Sequence, residues 1–221
     1  MAKVVAIVQA RTTSTRFPMK ILAGIGGRPM LSHVLERAAA IQGVDQVVLA
    51  VPENDVSMVS HLWPHVYGGS EKDVLGRYAE AAEKYEADII IRITGDCPLL
   101  PSNMVSPILK GITAAGRFYL PWCQPYVQVA DGWDFEVFSM GVLIEADIHA
   151  KKLQREHVTT WMRENYEEPV VKYDCDWTPL KCSVDTVEDL ERVKKIYDCL
   201  EDKTDFSHLA TWKAWEAAGR P

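Results

Sequence analysis

Near the amino terminus, Arg11, Thr12, Thr13, Ser14, Thr15, Arg16 and Lys20 follow directly on Gln9 and Ala10. Two guanidiniums, an ammonium, four hydroxyls and the N–H groups of one loop suit an anion with many oxygens, such as a polyphosphate. The pattern is neither a Walker loop nor a dinucleotide glycine fingerprint, and taken alone it also reads as a solvated loop with ordinary surface charge.

Carboxylates supply the complementary chemistry. Asp96 and Asp185 each end an apolar run and precede a turn or helix start. On neighbouring strands they would turn hard oxygen ligands into one cleft and, with nucleotide phosphates and water, hold Mg²⁺; singly, each reads as a turn cap. Asp174-Cys175-Asp176 is a competing acidic triplet, similar to the Asp-x-Asp metal motif of sugar transferases, with a solvated strand end as the alternative. Asp134 and Glu136 alternate on one strand face, toward sugar hydroxyls or toward water. His157, between Glu156 and Val158, would bind an anion, act as a base, or hydrogen-bond its own helix. Trp122, Trp133, Trp161, Trp177, Trp212 and Trp215 read as core rather than as stacking platforms.

These side chains need a scaffold. The run Val4–Val8 is an unbroken apolar strand of the kind buried in a parallel sheet, and its carboxyl end is where open α/β sheets place ligands. Residues 46–51 and 88–93 repeat that character, and a short strand is expected at 65–67. Between them, helical spacing marks 31–38, 55–62 and 72–86, with Ser70 as N-cap of the last. This alternation implies right-handed crossovers and a mainly parallel sheet with both rich loops on one edge. Residues 117–138, with Pro121, Trp122, Pro125, Tyr126 and Trp133, break the rhythm and are expected to project as a hairpin or cover rather than to join the main sheet. Helices are expected at 139–150 and 155–166, strands at 170–173 and 181–184, a helix capped by Thr186 running to about Leu200, and a terminal amphipathic helix from Ser207.

With 221 residues, 48% of them hydrophobic, the chain is long enough for one domain over 1–221. A net charge of −7 argues against nucleic acid or an anionic membrane as partner, so the basic cluster is local and suited to a small anion. The first apolar run is too short for a signal peptide or membrane span, and a cytoplasmic protein is expected. Five scattered cysteines lack zinc or dithiol spacing and read as reduced thiols.

The blocks themselves are recognisable. Val8-Gln9-Ala10-Arg11, then Ser14-Thr15-Arg16, Pro18 and Lys20, resembles the signature loop of the cytidylyltransferases that activate acidic sugars. These are the acylneuraminate and 3-deoxy-manno-octulosonate enzymes, together with the still more similar spore coat polysaccharide biosynthesis protein F family. Further blocks follow in family order: Gly69-Ser70 with Asp73-Val74-Leu75 and Arg77-Tyr78; Arg92 to Leu99; Asp134 with Glu136-Val137-Phe138; Arg155 to Thr159; and Val184-Asp185-Thr186 with Glu188-Asp189-Leu190.

The resemblance implies a nucleotide-diphospho-sugar transferase fold, Rossmann-like, a three-layer α/β/α sandwich with a mixed, mostly parallel sheet. It implies CTP against Gln9, Ala10, Arg11, Ser14, Thr15, Arg16, Lys20, Ser70, Asp73, Thr94, Gly95 and Asp96, with Arg11, Arg16 and Lys20 stabilising the triphosphate and departing pyrophosphate. Mg²⁺ falls to Asp96 and Asp185, and a small acidic acceptor to Asp134, Glu136, Arg155, Glu156 and His157. A homodimer through 117–138 is also implied. The chain departs from the family at Thr13 and Met19, where glycine is common. A glycosyltransferase using Asp174 and Asp176, or a noncatalytic nucleotide-binding protein, are the other readings.

Overall fold

A computed structural model of the chain describes residues 2–112, 116–166 and 176–221. The apolar run forms β1 (Val4–Gln9), which has no polar alternation and so must be covered on both faces. A tight antiparallel pair, β2 (Gly24–Ile25) and β3 (Arg28–Pro29), leads into α1 (Met30–Ala39), then β4 (Gln46–Pro52), α2 (Val56–Val59), β5 (Val66–Gly69), α3 (Val74–Lys84) and β6 (Ile89–Thr94). After α4 (Ser102–Gly111) come β7 (Tyr119–Trp122), β8 (Phe135–Ser139), α5 (Met140–His149), α6 (Leu153–Glu156), α7 (Thr160–Asn165), α8 (Val187–Asp198) and α9 (His208–Ala217).

The main sheet has the order β5-β4-β1-β6-β8-β7, parallel except where β8 pairs antiparallel with β6 and with β7. Alternate residues of β1 serve opposite layers. Ala6 and Val8 join Leu31, Val34 and Val193 from α1 and α8, whereas Val5 and Ile7 join Leu75, Tyr78 and Leu143 from α3 and α5. The sheet is thus the middle of three layers. Because α1 and α3 lie on opposite faces, strand order reverses at β1 and β6, and a crevice opens beyond their carboxyl ends.

The structure corrects several expectations. Residues 117–138 do not stand off the sheet, since they supply its last two strands, with Trp122 facing Phe135 across the pair. Trp122 and Trp133 are buried, as their reading as core has it, and Tyr126 is half-buried against the same core. Residues 181–184 form no strand; a single bridge joins Lys181 to Asp131, and Val184 donates its N–H to the Asp96 carbonyl at 2.9 Å. The helix expected at 155–166 is broken into α6 and α7, with Val158 at φ 55° between them, so His157 follows a helix instead of starting one. Asp73, not Ser70, is the N-cap of α3: its carboxylate accepts from Gly76 N at 3.0 Å, and the Ser70 hydroxyl accepts from Asp73 N. Thr186 caps α8 in a reciprocal capping box with Asp189. The strand expected at 170–173 lies outside the described residues.

Candidate active site

The loop after β1 is held from below. Thr12 donates its N–H and its hydroxyl to the two Asp55 oxygens at 2.8 and 2.7 Å, both groups buried, and the Thr12 carbonyl accepts from Ser14 N and Met19 N. This anchor spends one of the four hydroxyls on positioning, while Ser14, Thr15 and Arg16 remain on the cleft wall. Met19 turns the chain with φ 59°, a left-handed conformation that favours glycine, which is the residue common at this position in the resembling family. Met19→Gly should therefore keep the loop and raise stability by up to about 1 kcal/mol, strain relief being set against the freedom of glycine in the unfolded chain. Urea midpoints check this, and a clear destabilisation would refute it.

The loop after β6 touches the first one. Gly95 donates its N–H to the Gln9 carbonyl at 2.7 Å, and a Cβ at Gly95 would stand 2.8 Å from the Ala10 Cβ. Only glycine lets the two strand ends approach this closely.

Between these loops the charges converge. Lys20 sits in a 3-10 turn, Lys20–Leu22, and its Nζ donates to Asp96 Oδ2 at 2.8 Å, to the Val184 carbonyl at 2.8 Å and to Asp185 Oδ1 at 3.0 Å. Arg16 Nη2 meets the same Asp185 oxygen at 2.9 Å. Asp185 reaches this point because its segment is laid along the β6 loop by the Val184–Asp96 bond. Burial works against the Lys20 ammonium, but the Asp96 charge and the bonds to both aspartates outweigh it and lift its pKa above the ordinary lysine value. Burial likewise disfavours the Asp96 carboxylate, and Lys20 reverses this, holding it below its usual range.

A cleft of about 390 Å³ opens on this cluster, lined by Gln9, Ala10, Arg11, Ser14, Thr15, Arg16, Lys20, Arg77, Arg92, Thr94, Gly95, Asp96, Glu156, His157 and Asp185 among others. Arg77 is the residue sequence reasoning passed over. It is 1% exposed, donates Nη1 to the Ser70 carbonyl at 2.5 Å, leaves Nε without a partner, and forms no ion pair among the described residues. Burial, with the nearby Arg11, pulls its pKa down. A buried cation without a carboxylate of its own, on a cleft wall beside Arg11 and Arg16, favours an anionic ligand.

A second cleft, about 420 Å³, shares Arg92 and Thr94 with the first and adds Cys123, Gln124, Asp131, Asp134, Glu136 and Arg163. The Glu136 carboxylate is enclosed. Arg92 Nη1 and Arg163 Nη2 each donate to it at 2.7 Å, Thr159 Oγ1 at 3.0 Å and the Tyr119 hydroxyl at 2.5 Å. Burial opposes its charge, and the two guanidiniums overcome that, so its pKa lies below the normal range. Asp134, on the same face, accepts from Gly132 N at 3.1 Å and from no other group among the described residues, and burial lifts its pKa to about 6.

Other expected site residues are placed elsewhere. Ser70 and Asp73 are absent from both cleft walls and close the start of α3. Arg155, expected against an acceptor anion, grips Asp73 with Nε and Nη2 at 2.8 Å each, and Asp147 through its carbonyl and carboxylate at 2.6 Å. It pins α3 to α5. Asp176 accepts from Thr178 N and Oγ1 within its own turn, and Asp174 lies outside the described residues.

The comparisons with known proteins agree with this geometry. Residues 5–210 match the family model described as cytidylyltransferase. An uncharacterised protein of Methanocaldococcus jannaschii is 32% identical over 86% of this chain and 81% of its own length. The 3-deoxy-manno-octulosonate cytidylyltransferase of Geotalea uraniireducens is 35% identical, over 49% of this chain and 44% of that enzyme. The match thus spans under half of that enzyme's length. Among solved structures, a cytidylyltransferase from Leptospira borgpetersenii superposes with a TM-score of 0.91 at 28% identity, over 100% of this chain and 96% of that one. CMP:2-keto-3-deoxy-manno-octonic acid synthetase, solved with CTP, superposes at 0.67 and 20% identity, over 89% of this chain and 99% of that one, a likeness of fold. The matched residues run from within β1 through the Lys20, Asp96 and Asp185 cluster and into α9, and the chain belongs to the cytidylyltransferase family.

Proposed function

We propose that this protein transfers CMP from CTP to an acidic sugar or a related small acidic acceptor, releasing pyrophosphate. In such a reaction the acceptor oxygen bonds to the α-phosphorus while the bond from that phosphorus to the bridging oxygen breaks, and its electron pair leaves with pyrophosphate. The observation that carries the reading is the meeting of Lys20, Asp96 and Asp185 in a cleft that also presents Arg11, Arg16 and Arg77.

Charge neutralisation and alignment are what this chemistry needs most. Arg11, Arg16 and Arg77 are assigned to the triphosphate, with Lys20 nearest the leaving group. The cleft also fits a hard divalent cation. Two carboxylates and the Val184 carbonyl already surround a cationic nitrogen at 2.8–3.0 Å, and Mg²⁺ commonly takes one or two carboxylates and completes its shell with phosphate and water. Asp96 and Asp185 would hold it, and when bound it supplies Lewis-acid stabilisation of the phosphate undergoing transfer. The acceptor is assigned to the second cleft, contiguous with the first through Arg92 and Thr94.

The test is pyrophosphate release from CTP and Mg²⁺ across a panel of acidic sugars and phosphonates. Release that depends on acceptor, and on CTP in preference to UTP and ATP, is expected. Hydrolysis of CTP alone, or binding with no turnover for any acceptor, would refute the proposal.

A further inference from the structure

The second cleft is lined by charges of both signs. At one pole Arg92 and Arg163 share a single carboxylate, Glu136, so two guanidiniums face one negative charge, and Arg92 Nε is buried with no hydrogen-bond partner among the described residues. Glu136 has no capacity left for a ligand, because Thr159 and Tyr119 occupy it as well. This pole is therefore net positive and can take an acid group.

The other pole is the reverse. Asp131 and Asp134 line the same cleft, and among the described residues neither has an ion-pair partner. Asp134 is fixed by the Gly132 N–H, and that turn is itself tightly set, since a Cβ at Gly132 would stand 2.4 Å from Ser183 N. Burial above all, with a smaller contribution from the charges of Asp131 and Glu136, raises the Asp134 pKa, and a cation bound beside it would favour the charged carboxylate. An acceptor that is only anionic would be attracted by the guanidiniums and repelled by the two aspartates.

We infer that the acceptor carries a protonated amine as well as its acid group, the amine received by Asp134 and Asp131 and the acid by Arg92 and Arg163. The inference rests on the proposed cytidylyl transfer for the reaction that consumes this acceptor, but the two-pole pocket stands on its own geometry. It narrows the substrate class from acidic sugars in general to amino acids of the sugar or phosphonate type with a free amine.

Calorimetric binding of three matched ligands in the presence of a nonhydrolysable CTP analogue tests it: glucosaminuronate, its N-acetyl derivative and glucuronate, with 2-aminoethylphosphonate and ethylphosphonate as a second pair. The amine-bearing member of each set should bind about tenfold more tightly than its partners. Asp134→Asn should erase that preference while leaving affinity for the CTP analogue unchanged, and Asp131→Asn, at an exposed position, should weaken it by a smaller factor. Equal or weaker binding of the amine-bearing members, no binding by any of them, or a preference that survives both substitutions would overturn the inference. Pyrophosphate release separates it from the parent reading. Turnover of amine-free acids at equal kcat/KM sinks the inference alone, whereas an Asp134-dependent preference in binding with no turnover sinks the reaction alone.

Discussion

Asp96→Asn or Asp185→Asn should lower turnover by at least about 10³-fold, on the order of 4 kcal/mol of transition-state stabilisation, with the fold retained. An amide matches a carboxylate in shape and still accepts a hydrogen bond from Lys20, but it is a poor ligand for a hard cation and brings no charge to balance the ammonium. Lys20 keeps the remaining aspartate and the Val184 carbonyl in either variant, so the loss of stability should be modest, about 1–2 kcal/mol. Its pH dependence has a definite sign. The folded pKa of Asp96 is depressed, so its contribution is present above the unfolded value of about 3.9 and fades as pH falls through the lower folded value. Asp96→Asn should consequently show a shallower loss of stability on acidification than the unaltered protein. Thermal midpoints across pH 2–6 measure that slope, and activity within tenfold of normal in both variants would remove the pair from the site.

Lys20→Met tests the same cluster from its cationic side. Turnover should fall by about 10²- to 10³-fold if the ammonium faces the departing pyrophosphate. Stability should fall as well, because Asp96 then loses its ammonium partner and faces Asp185 with only the more exposed Arg16, on Asp185, to offset the two charges. The folded pKa of Lys20 is raised, so its stabilisation is complete below the unfolded value of about 10.4 and is lost only as pH rises through the higher folded value. The deficit is therefore present in full at pH 7. A second readout needs no turnover: in the unaltered protein the ammonium holds the place between the carboxylates, and in Lys20→Met that competition is gone. Added MgCl₂, without nucleotide, should raise the thermal midpoint of the variant more than that of the unaltered protein. Equal shifts, together with an unchanged kcat, would return Lys20 to a purely structural role.

Much of this arrangement is legible from the chain itself. Continuous apolar runs identify β1, β4 and β6, and the loops after β1 and β6 carry many of the residues that meet in the first cleft. Local side-chain chemistry likewise announces the Thr186 cap, because N-cap and capping partner are three residues apart. What escapes is decided at long range. Arg155 looks like an anion receptor until Asp73, 82 residues away, takes two of its donors. Lys181 to Val184 has the composition of a strand, yet its N–H groups go to the Asp131 and Asp96 carbonyls, two of them sharing Asp131, and among the described residues no strand pairs with it in a ladder. The alternation around Asp134 and Glu136 announces a strand where β8 lies, but proline and aromatic residues suggest that 117–138 projects, whereas burial of Trp122 and Phe135 in one stacked pair draws the segment into the sheet. Arg77 escaped because its importance lies in a missing partner, which sequence does not display.

The rim of the sheet has a consequence for how copies of the protein meet. Among the described residues β7 is the outermost strand, only four residues long, and Pro121 lies within it. An outermost strand offers its open backbone groups to any extended segment, and a proline subtracts a donor from that row. Tyr119 and Trp122, on either side, are turned into the interior, so no apolar ribbon compensates. Strand-by-strand growth into fibres is thus poorly seeded from this side, and concentrated solutions should stay clear where a longer, proline-free rim would invite cross-β stacking.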